Sequence, residues 1–236
     1  MADISLLFKR SQLFADIPKE TLAQQILPHG YFQEYQKDQF LIMPRQKVDR
    51  IGIVVSGRVH ILHLFESGQS SLMGVILSGG LVGIDLACPR SQVSPYHAMA
   101  ASAAQVFYLP ASLLLNPGGL EESVRTCCLQ RMLTLISNEN MKKEYRLAIL
   151  SQNGLRERIT TYLSMQARRR NQNSFSIPFS REEMAAFLCV NRSALSHELS
   201  LMRKEGLISF RKNEFTLHGW ELDGAPFASP FSPVHP

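Results

Sequence analysis

The amino-acid sequence predicts an α+β protein with a β-rich N-terminal domain, a long central helix and a smaller helical C-terminal domain. From Tyr31 to Leu109, short runs of Val, Ile, Leu and Phe are broken by Gly and Ser, which is typical of strands. From about Leu120 to Leu150, apolar residues recur at helical spacing. The 236 residues exceed the usual size of one core, about 100–150 residues, so we expect two folded units.

Within the β domain, residues 51–61 predict two strands around a Ser56-Gly57 turn, and Glu66 to Gln69 marks the next hairpin. His60 and His63 are three apart in a predicted strand, so they face opposite sides and do not share a metal.

The cysteine pattern argues against a metal. Cys88, Cys127, Cys128 and Cys189 include no Cys-x-x-Cys spacing, and no cysteine cluster precedes the β domain, so the sequence predicts no metal and no iron–sulfur site of the usual kind. The adjacent pair at 127 and 128 is interpreted as helix packing, and Cys189 as a small buried residue. A haem held by a single His stays open.

The central segment predicts one long helix that buries an apolar stripe. Its members are Val124, Leu129, Met132, Leu133, Ile136, Met141, Tyr145, Ala148 and Ile149.

Residues 180–206 predict two short helices around a tight turn. Ser180 and Glu183 have the spacing of a capping box, in which each side chain satisfies a backbone N–H of the other residue. Asn191 is placed to cap the second helix, and Gly206 supplies the left-handed conformation that ends it. Many bacterial proteins use this helix-turn-helix form to place side chains in the major groove of DNA.

The second helix has two different faces. Leu195, Leu199 and Met202 fall on one side and are expected to pack, whereas Arg192, Ser193, Ser196, His197 and Ser200 fall on the other. Arg192 is suited to a two-pronged contact with guanine. A merely solvated polar face is the alternative.

Residues 207–217 form two short alternating runs around a polar turn, which predicts the wing of a winged helix. Arg211 and Lys212 at its tip suit phosphate contacts. The region from Asn153 to Lys212 carries 11 Lys and Arg against 5 Asp and Glu, whereas the whole chain has a formal net charge of only +5. This basic block is expected of a domain that binds a polyanion. The predicted DNA-contacting residues are Arg181, Asn191, Arg192, Ser193, Ser196, His197, Arg211 and Lys212.

The run from Asn191 to Leu199, followed by Met202 to Ile208, resembles the CRP/FNR family of bacterial transcription regulators in pattern and order. By this resemblance, Arg192, Ser193 and His197 contact bases or nearby phosphates. The family usually has Arg where this chain has His197, and a neutral imidazole lacks the fork that a guanidinium offers to guanine. The preferred DNA half-site is expected to differ at that base.

The resemblance covers nearly the whole chain, because Val55 to Val59 and the glycine-rich Ser78 to Gly83 are similar to the cyclic-nucleotide-binding-like β-roll of this family. It implies four parts: an effector-sensing β-roll domain (1–118), a dimerisation helix and hinge (119–152), a winged helix-turn-helix DNA-binding domain (153–222) and a Pro-rich irregular tail (223–236).

The same resemblance implies a homodimer that binds an inverted repeat in double-stranded DNA, with half-sites about 34–36 Å apart, and that works with RNA polymerase. In such a dimer the long helix pairs with its copy, and Asn140 lies in the seam and sets the register. A solvated face or a break in the helix at 138–140 fits the sequence equally well.

Cyclic-nucleotide members of the family carry Gly-Glu-Leu, followed about ten residues later by Arg-Ser or Arg-Thr; the carboxylate binds the ribose and the Arg neutralises the phosphate. This chain has Gly83-Ile84-Asp85-Leu86 and later Ser94-Pro95-Tyr96, so both anchors are missing from their expected places. Charge-assisted hydrogen bonds are about twice as strong as neutral ones, so cyclic AMP is not the expected effector. Asp85 and Arg90 acting from shifted positions are the alternative.

The predicted effector pocket comprises Gly83, Ile84, Asp85, Leu86, Tyr96 and His97. It suits an unknown small molecule that is neutral or aromatic, with one or two polar anchors. A pocket filled by its own side chains is equally compatible with the sequence.

The predicted function is therefore that of a homodimeric, sequence-specific transcription regulator controlled by an effector in the β-roll other than cyclic AMP. The alternatives are a haem- or redox-dependent sensor and a small-molecule-binding module without specific DNA recognition. An enzyme is not expected, because the sequence has no Gly-rich phosphate loop, His-Glu-x-x-His or Gly-x-Ser-x-Gly motif. Without a run of about 20 apolar residues or a signal segment, we expect a cytoplasmic location and no membrane partner.

Overall fold

The computed structural model describes residues 10–66, 70–87 and 92–219 and confirms the α+β class. The chain divides into two compact units, Met1–Ser137 and Asn138–Pro236. This division falls inside the long helix, whereas the sequence placed its first boundary at residue 118. Most of the predicted Glu66–Gln69 turn, Cys88, Arg90 and the tail 223–236 lie outside the described residues.

The first unit is a sandwich of two antiparallel sheets. Its strands in chain order are β1 (Tyr31–Tyr35), β2 (Phe40–Ile42), β3 (Arg50–Ser56), β4 (Arg58–Leu64), β5 (Ser70–Leu77), β6 (Leu81–Val82), β7 (His97–Ala100) and β8 (Ala104–Pro110). One sheet has the order β1-β8-β3-β6 and the other has the order β2-β7-β4-β5. We call them sheet A and sheet B.

Sheet A has a core on each of its faces because side chains alternate along a strand. Ile51, Ile53 and Phe107 lie on one face, in a cluster with the helical segments of this unit. Val54 and Tyr108 lie on the other face and pack with apolar residues of sheet B. The near-continuous burial of β3 follows from its position between two cores.

The two strands predicted around Ser56-Gly57 are present, but they do not pair with each other, so the hairpin expected there was wrong. The Ser56-Gly57 turn joins β3 in sheet A to β4 in sheet B. Gly57 has φ 84°, and a Cβ there would lie 2.3 Å from the carbonyl oxygen of Ala103, so this crossing requires glycine. The next predicted hairpin is confirmed, since β4 and β5 pair from Arg58–Leu77 to Leu64–Ser70.

The helices of this unit lie mainly against the outer face of sheet A. Among the described residues they include α1 (Lys19–Thr21), which continues as a π-helical turn (Leu22–Ile26) and a 3₁₀ turn (Leu27–His29), then α2 (Ile84–Ala87) and α3 (Ala111–Leu115). The first part of the long α4 (Glu122–Leu150) also belongs to this unit, and its later part belongs to the second. The sequence predicted α4 within two residues at its start, and it runs without a break through 138–140.

The predicted apolar stripe of α4 is only partly buried. Val124, Cys128 and Met132 belong to the core beneath sheet A, but Leu133 and Met141 are exposed. Burial raises the pKa of the Cys128 thiol to about 12, with the neighbouring Cys127 as a smaller cause. A thiol in this state is a packing group rather than a reactive one, as the sequence indicated.

The second unit contains the C-terminal elements. They are α5 (Leu155–Arg170), β9 (Ser174–Ser176), α6 (Arg181–Phe187), α7 (Arg192–Lys204), β10 (Ile208–Arg211) and β11 (Glu214–Leu217). The strands form a small antiparallel sheet in the order β10-β11-β9. The sequence predicted the β10–β11 hairpin but missed β9, which pairs Phe175 with Phe215.

Tyr162 of α5 places a hydroxyl without a hydrogen-bond partner among the described residues in the core of this unit. Its ring is buried and contacts the rings of Phe179 and Phe187 at centroid distances of 6.1 and 5.5 Å. Burial raises the pKa of this hydroxyl.

We expect Tyr162→Phe to stabilise the protein by about 1 kcal/mol. Burying a hydroxyl without a hydrogen-bond partner costs free energy, and Phe has no hydroxyl to bury. Urea denaturation measures the change. Tyr35→Phe is the control, since the buried Tyr35 hydroxyl is bonded to that of Tyr108 and its loss is expected to destabilise. Destabilisation by both variants would show that the Tyr162 hydroxyl is satisfied.

Candidate nucleic-acid interface

The predicted helix-turn-helix is present, with both of its caps. The Ser180 hydroxyl accepts from the Glu183 backbone N–H at 3.2 Å, and a Glu183 carboxylate oxygen accepts from the Ser180 N–H at 2.7 Å. Asn191 Oδ1 accepts from the Ala194 N–H at 2.7 Å and so caps α7. Gly206, with φ 75°, follows the end of α7 as predicted.

The two faces of α7 separate as the sequence predicted. Leu195, Leu199 and Met202 are completely buried. Arg192, Ser193 and His197 are exposed on the opposite face, and Ser196 and Ser200 are half-buried beside them. A helix held by a buried apolar face and a capped start presents its polar face in a defined orientation, which DNA recognition requires.

Three of the predicted contact residues, Asn191, Ser193 and Arg181, already have side-chain hydrogen bonds within the protein. Asn191 Oδ1 also accepts from the Ser193 hydroxyl at 2.8 Å. Asn191 therefore keeps its amide N–H groups, and Ser193 keeps the acceptor capacity of its oxygen. The Ser200 hydroxyl donates to the Ser196 carbonyl oxygen at 2.8 Å, which leaves the Ser196 side chain on the polar face.

Arg181 is fixed against the wing rather than extended into solvent. Its guanidinium carbon lies 4.9 Å from the Phe210 ring centroid and 5.5 Å from that of Phe215, and Nη2 donates to the Lys212 carbonyl oxygen at 3.1 Å. Burial, and next the charge of Arg192, lower its pKa. The structure thus brings Arg181 close to Arg192, and the two make this surface positive.

The wing tip carries the two predicted phosphate ligands. Arg211 and Lys212 are exposed, and Lys212 has a φ of 55° at the turn. Arg203 of α7 lies 5.2 Å from the Phe210 ring centroid, so Phe210 contacts the guanidinium groups of both Arg181 and Arg203. These contacts join the wing to both helices of the motif.

The three consecutive arginines at the end of α5 differ in their surroundings. Arg168 is exposed. Burial lowers the pKa of Arg169 to about 10, and the charge of Arg170 adds to this. Arg170 stacks on Phe175 at 5.5 Å and donates to Gln166 Oε1 at 2.7 Å. Arg168 is thus the most accessible of the three to a phosphate.

Arg146 and Arg158 support the turn of the motif, and sequence reasoning missed both. Nη2 of the buried Arg146 donates to the Phe187 carbonyl oxygen at 3.3 Å, and Nη1 of Arg158 donates to that of Leu188, also at 3.3 Å. These carbonyls end α6 and have no partner within the helix. Both arginines are more than 25 residues away in sequence, so no local signal reveals the contact.

Cys189 lies in this turn and is exposed, so its predicted burial was wrong. It adopts a φ of 58°, which turns its backbone out of the helix, and its Sγ lies 3.8 Å from Nη2 of Arg146. The apolar position that the turn needs is filled instead by Leu188, which is fully buried.

We expect Arg146→Met to lower the stability of the second unit by about 1–3 kcal/mol, because the Phe187 carbonyl oxygen loses a charged donor in a buried place. Thermal unfolding followed by circular dichroism measures this. Lys143→Met, an exposed position on the same helix, is the control and should change the midpoint little. Equal effects of the two substitutions would remove the role assigned to Arg146.

Arg156 is a further residue that the sequence did not reveal. Its Nε donates to Glu198 Oε1 at 2.6 Å, and its two terminal nitrogens donate to the Glu205 carboxylate at 2.6 and 2.8 Å. These hydrogen bonds are the main reason that the pKa of Arg156 is raised and the pKa of Glu205 lowered. Arg156 therefore ties α5 to the middle and to the end of α7.

Most residues of the predicted effector pocket are buried in the two cores or hydrogen-bonded to each other. Ile84 lies in the core beneath sheet A, and Leu86 and Tyr96 lie in the core between the sheets. The Tyr96 hydroxyl donates to Asp85 Oδ1 at 2.6 Å. Gly83 has φ 79°, so it turns the chain into α2.

The described residues of this pocket offer neither of the two charged anchors that cyclic-nucleotide members of the family carry. The position of the ribose-binding carboxylate holds the buried Ile84, and the carboxylate of the next residue, Asp85, already accepts from Tyr96. The described pocket residues include no Arg or Lys to neutralise a phosphate. His97 lies half-buried, its Nδ1 without a partner among the described residues and its ring 5.4 Å from that of Phe40.

Two kinds of feature are absent from residues 10–66, 70–87 and 92–219. No group of three His, Cys, Asp or Glu side chains lies close enough together to hold a metal ion. In the same part of the chain, no helix combines the length and the apolar character needed to cross a membrane.

Two family models match the chain. The model of the cyclic nucleotide-binding domain matches residues 32–116, and the model of the Crp-like helix-turn-helix domain matches residues 157–222. Together they cover the β-sandwich of the first unit and the helix-turn-helix and wing of the second.

The chain is also similar to characterised regulators. It is 26% identical over 190 residues to the transcriptional activator protein FnrL of Cereibacter sphaeroides, which covers 76% of this chain and 73% of that protein. It is 25% identical over 194 residues to the anaerobic regulatory protein of Haemophilus influenzae, with 80% and 72% covered. These relatives are transcription regulators rather than enzymes.

Solved structures of other regulators share the fold, among them the following two. The c-di-GMP responsive global regulator CLP of Xanthomonas campestris matches with a TM-score of 0.64 at 15% identity, over 84% of this chain and 98% of that one. FixK2 of Bradyrhizobium japonicum matches with a TM-score of 0.59 at 18% identity, over 80% and 93%. At these identities the likeness concerns the fold alone.

Proposed function

This chain belongs to the CRP/FNR family of transcription regulators, and we propose that it acts as a homodimer that binds a specific inverted repeat in double-stranded DNA. The single observation that carries the proposal is the construction of α7. One of its faces is completely buried, its start is capped, and Arg192 and His197 are exposed on the other face. That arrangement suits hydrogen bonding to base edges in the major groove.

The wing supplies the second part of the proposed interface. Arg211 and Lys212 are exposed at its tip, and the wing is joined to the motif through Arg181. Contacts of these cations with phosphates would set the position of α7 on the duplex without selecting a sequence. Arg192 and His197 would then select the bases.

The proposed dimer rests on an exposed apolar face of α4. Leu133 and Leu147 are 68% and 61% exposed, and Asn140 lies midway between them at intervals of seven residues. Such a repeat places all three side chains along one seam of a helix pair. A second copy of α4 would cover the leucines, and Asn140 paired with its copy would set the register.

The β-sandwich is the proposed site of control, by a small molecule other than cyclic AMP. The engaged Asp85 and the absence of a cation among the described pocket residues support this exclusion. An effector that binds one dimer arrangement more tightly than another would shift the population toward the DNA-binding state. Contact with RNA polymerase is part of the proposal and follows from family membership.

Selection of genomic DNA fragments by the purified protein at near-physiological salt tests the proposal. We expect enrichment of an inverted repeat by the parent protein, and with Arg192→Ala a repeat that has lost its preference at one base pair of each half-site. Arg168→Ala, an exposed arginine outside the motif, is the matched control and should select the same repeat. Binding without a shared motif, fading with salt, would contradict specific recognition.

A further inference from the structure

A cleft of about 320 Å³ opens at one edge of the β-sandwich, beside the predicted effector pocket, whose His97 ring lies 5.4 Å from the ring of the cleft residue Phe40. It lies between β1, one edge strand of sheet A, and β2, one edge strand of sheet B, and residues 43–50 close one side. The volume is at the small end of the range of about 300–1,000 Å³ for ligand sites. A ligand of this cleft must therefore be small.

The floor of the cleft is made by two phenols. The hydroxyls of Tyr35 and Tyr108 lie 2.9 Å apart and hydrogen-bond to each other. Only one O–H is needed as the donor in this pair, so the second stays available as a donor. Burial is the largest cause that raises the pKa of each group, so both remain protonated at neutral pH.

Gly52 makes this floor possible. It pairs with Tyr108 across β3 and β8, and a Cβ at this position would lie 2.8 Å from Cε1 of Tyr108 and 2.5 Å from Cγ1 of Val82. Any larger residue would push the Tyr108 ring from its place. The phenol pair thus depends on a glycine inside a strand, a place where glycine is otherwise unfavourable.

The wall of the cleft presents an aromatic ring beside a cation. Tyr31 stacks on Tyr108 with ring centroids 5.6 Å apart, and 43% of Tyr31 remains exposed. The guanidinium carbon of Arg50 lies 5.2 Å from the Tyr31 ring centroid. Phe40 lines the opposite side and is 40% exposed. A planar aromatic ligand would cover these apolar surfaces.

The charge of the cleft favours an anion. Arg50 and Lys47 line it together with one carboxylate, Asp49. The Asp49 Oδ1 lies 3.8 Å from Arg50 Nε, and both side chains are well exposed, so this ion pair is weak. The guanidinium therefore keeps donors for a carboxylate, which it binds with two parallel hydrogen bonds.

From these features we propose that the cleft binds a small aromatic carboxylate. Its ring stacks on Tyr31 and contacts Phe40, and its carboxylate accepts from Arg50 and from the free O–H of the phenol pair. Lys47 adds charge at the mouth. Ligand binding in the cleft does not depend on DNA binding, so this proposal can be right or wrong independently of the proposed function.

Calorimetric titration of the full-length protein with 2-naphthoate tests the site, with 2-naphthamide as the uncharged analogue. We expect 2-naphthoate to bind, and the amide to bind at least about tenfold more weakly because it lacks the charge-assisted hydrogen bonds. Arg50→Gln and Tyr108→Phe should each weaken 2-naphthoate binding by about tenfold, with thermal midpoints measured to show that the variants fold.

Tyr96→Phe is the matched control, because it removes a buried hydroxyl from the predicted effector pocket and leaves the cleft intact. It should keep the parent affinity for 2-naphthoate. Three outcomes would overturn the proposal: no binding of 2-naphthoate, equal binding of acid and amide, or unchanged binding in Arg50→Gln. Loss of binding in Tyr96→Phe would place the ligand in the predicted effector pocket instead.

Discussion

Replacing Leu133 and Leu147 together with Asp is expected to convert the protein into a monomer and to lower its affinity for the inverted repeat by about 100-fold or more. In the dimer, binding of the first half-site brings the second recognition helix close to its own half-site. A monomer loses this effective concentration and binds each half-site separately. The affinity for an isolated half-site should therefore change little.

The physical reason lies in the exposure of the two leucines. Both are more than 60% exposed in the chain as described, so they make little contribution to the core of either unit. Covering them in a helix pair removes apolar surface from water, whereas two facing Asp carboxylates at each position would repel one another. Folding of the single chain should be preserved, because neither substitution buries a charge.

Sedimentation equilibrium measures the change in mass, and fluorescence anisotropy with whole and half operators measures the change in affinity. Leu77→Asp is the matched control, since Leu77 is an exposed leucine on β5. It should leave the dimer and its DNA affinity unchanged. A double variant that remains a dimer would show that α4 is not the dimer seam.

Arg192→Ala is expected to lower discrimination at one base pair of each half-site by about 10- to 100-fold, which corresponds to about 1–3 kcal/mol. The Arg192 side chain is exposed at the first position of α7. Its charge contributes to the lowered pKa of Arg181, so the two guanidinium groups are close and Arg181 adds positive potential at this surface. The loss should be confined to one base pair, because a bidentate contact with guanine involves one base edge. Binding to unrelated DNA should change much less.

Arg211→Ala is the matched comparison for Arg192→Ala. Its side chain is exposed at the wing tip, so its loss should weaken binding to all sequences by a similar factor and reduce the salt slope by about one. Titration of a panel of single-base operator variants at several salt concentrations separates the two effects. If both variants lose the same discrimination, the assignment of base selection to α7 and positioning to the wing is wrong.

The elements that sequence reasoning placed well depend on neighbours along the chain. The capping box of Ser180 and Glu183, the Asn191 cap and Gly206 act within three or four residues of the backbone they affect. The buried face of α7 follows from the period of 3.6 residues alone. For these reasons, the sequence was sufficient to predict both helices, the turn and the wing hairpin.

The contacts that sequence reasoning missed join residues far apart in the chain. Arg146 and Arg158 reach the end of α6, and Arg156 joins Glu198 to Glu205. A guanidinium has many partners that suit it equally, so the sequence does not indicate which carbonyl or carboxylate it will meet. The same limit applies to the pairing of β9 with β11 and to the Ser56-Gly57 crossing between the sheets.

At two places the burial expected from residue type or periodicity differs from the burial in the structure. Cys189 has a residue type that is usually buried, but the turn places it at the surface and Leu188 fills the core. The apolar positions of α4 form one stripe in the sequence, yet Val124 and Met132 face the β domain whereas Leu133 remains exposed. Periodicity identifies a face of a helix but not what will cover it.

The sequence by itself determined the α+β class, the two capped helices of the helix-turn-helix motif and the resemblance to the CRP/FNR family, because each depends on local spacing and residue chemistry. The tertiary structure alone decided that the Tyr96 hydroxyl donates to the Asp85 carboxylate and that two edge strands form a cleft over a pair of phenols. It also decided that arginines distant in sequence donate to the end of α6 and to Glu198 of α7. These features need residues from separate segments at distances of a few ångströms, and only the closed fold sets those distances.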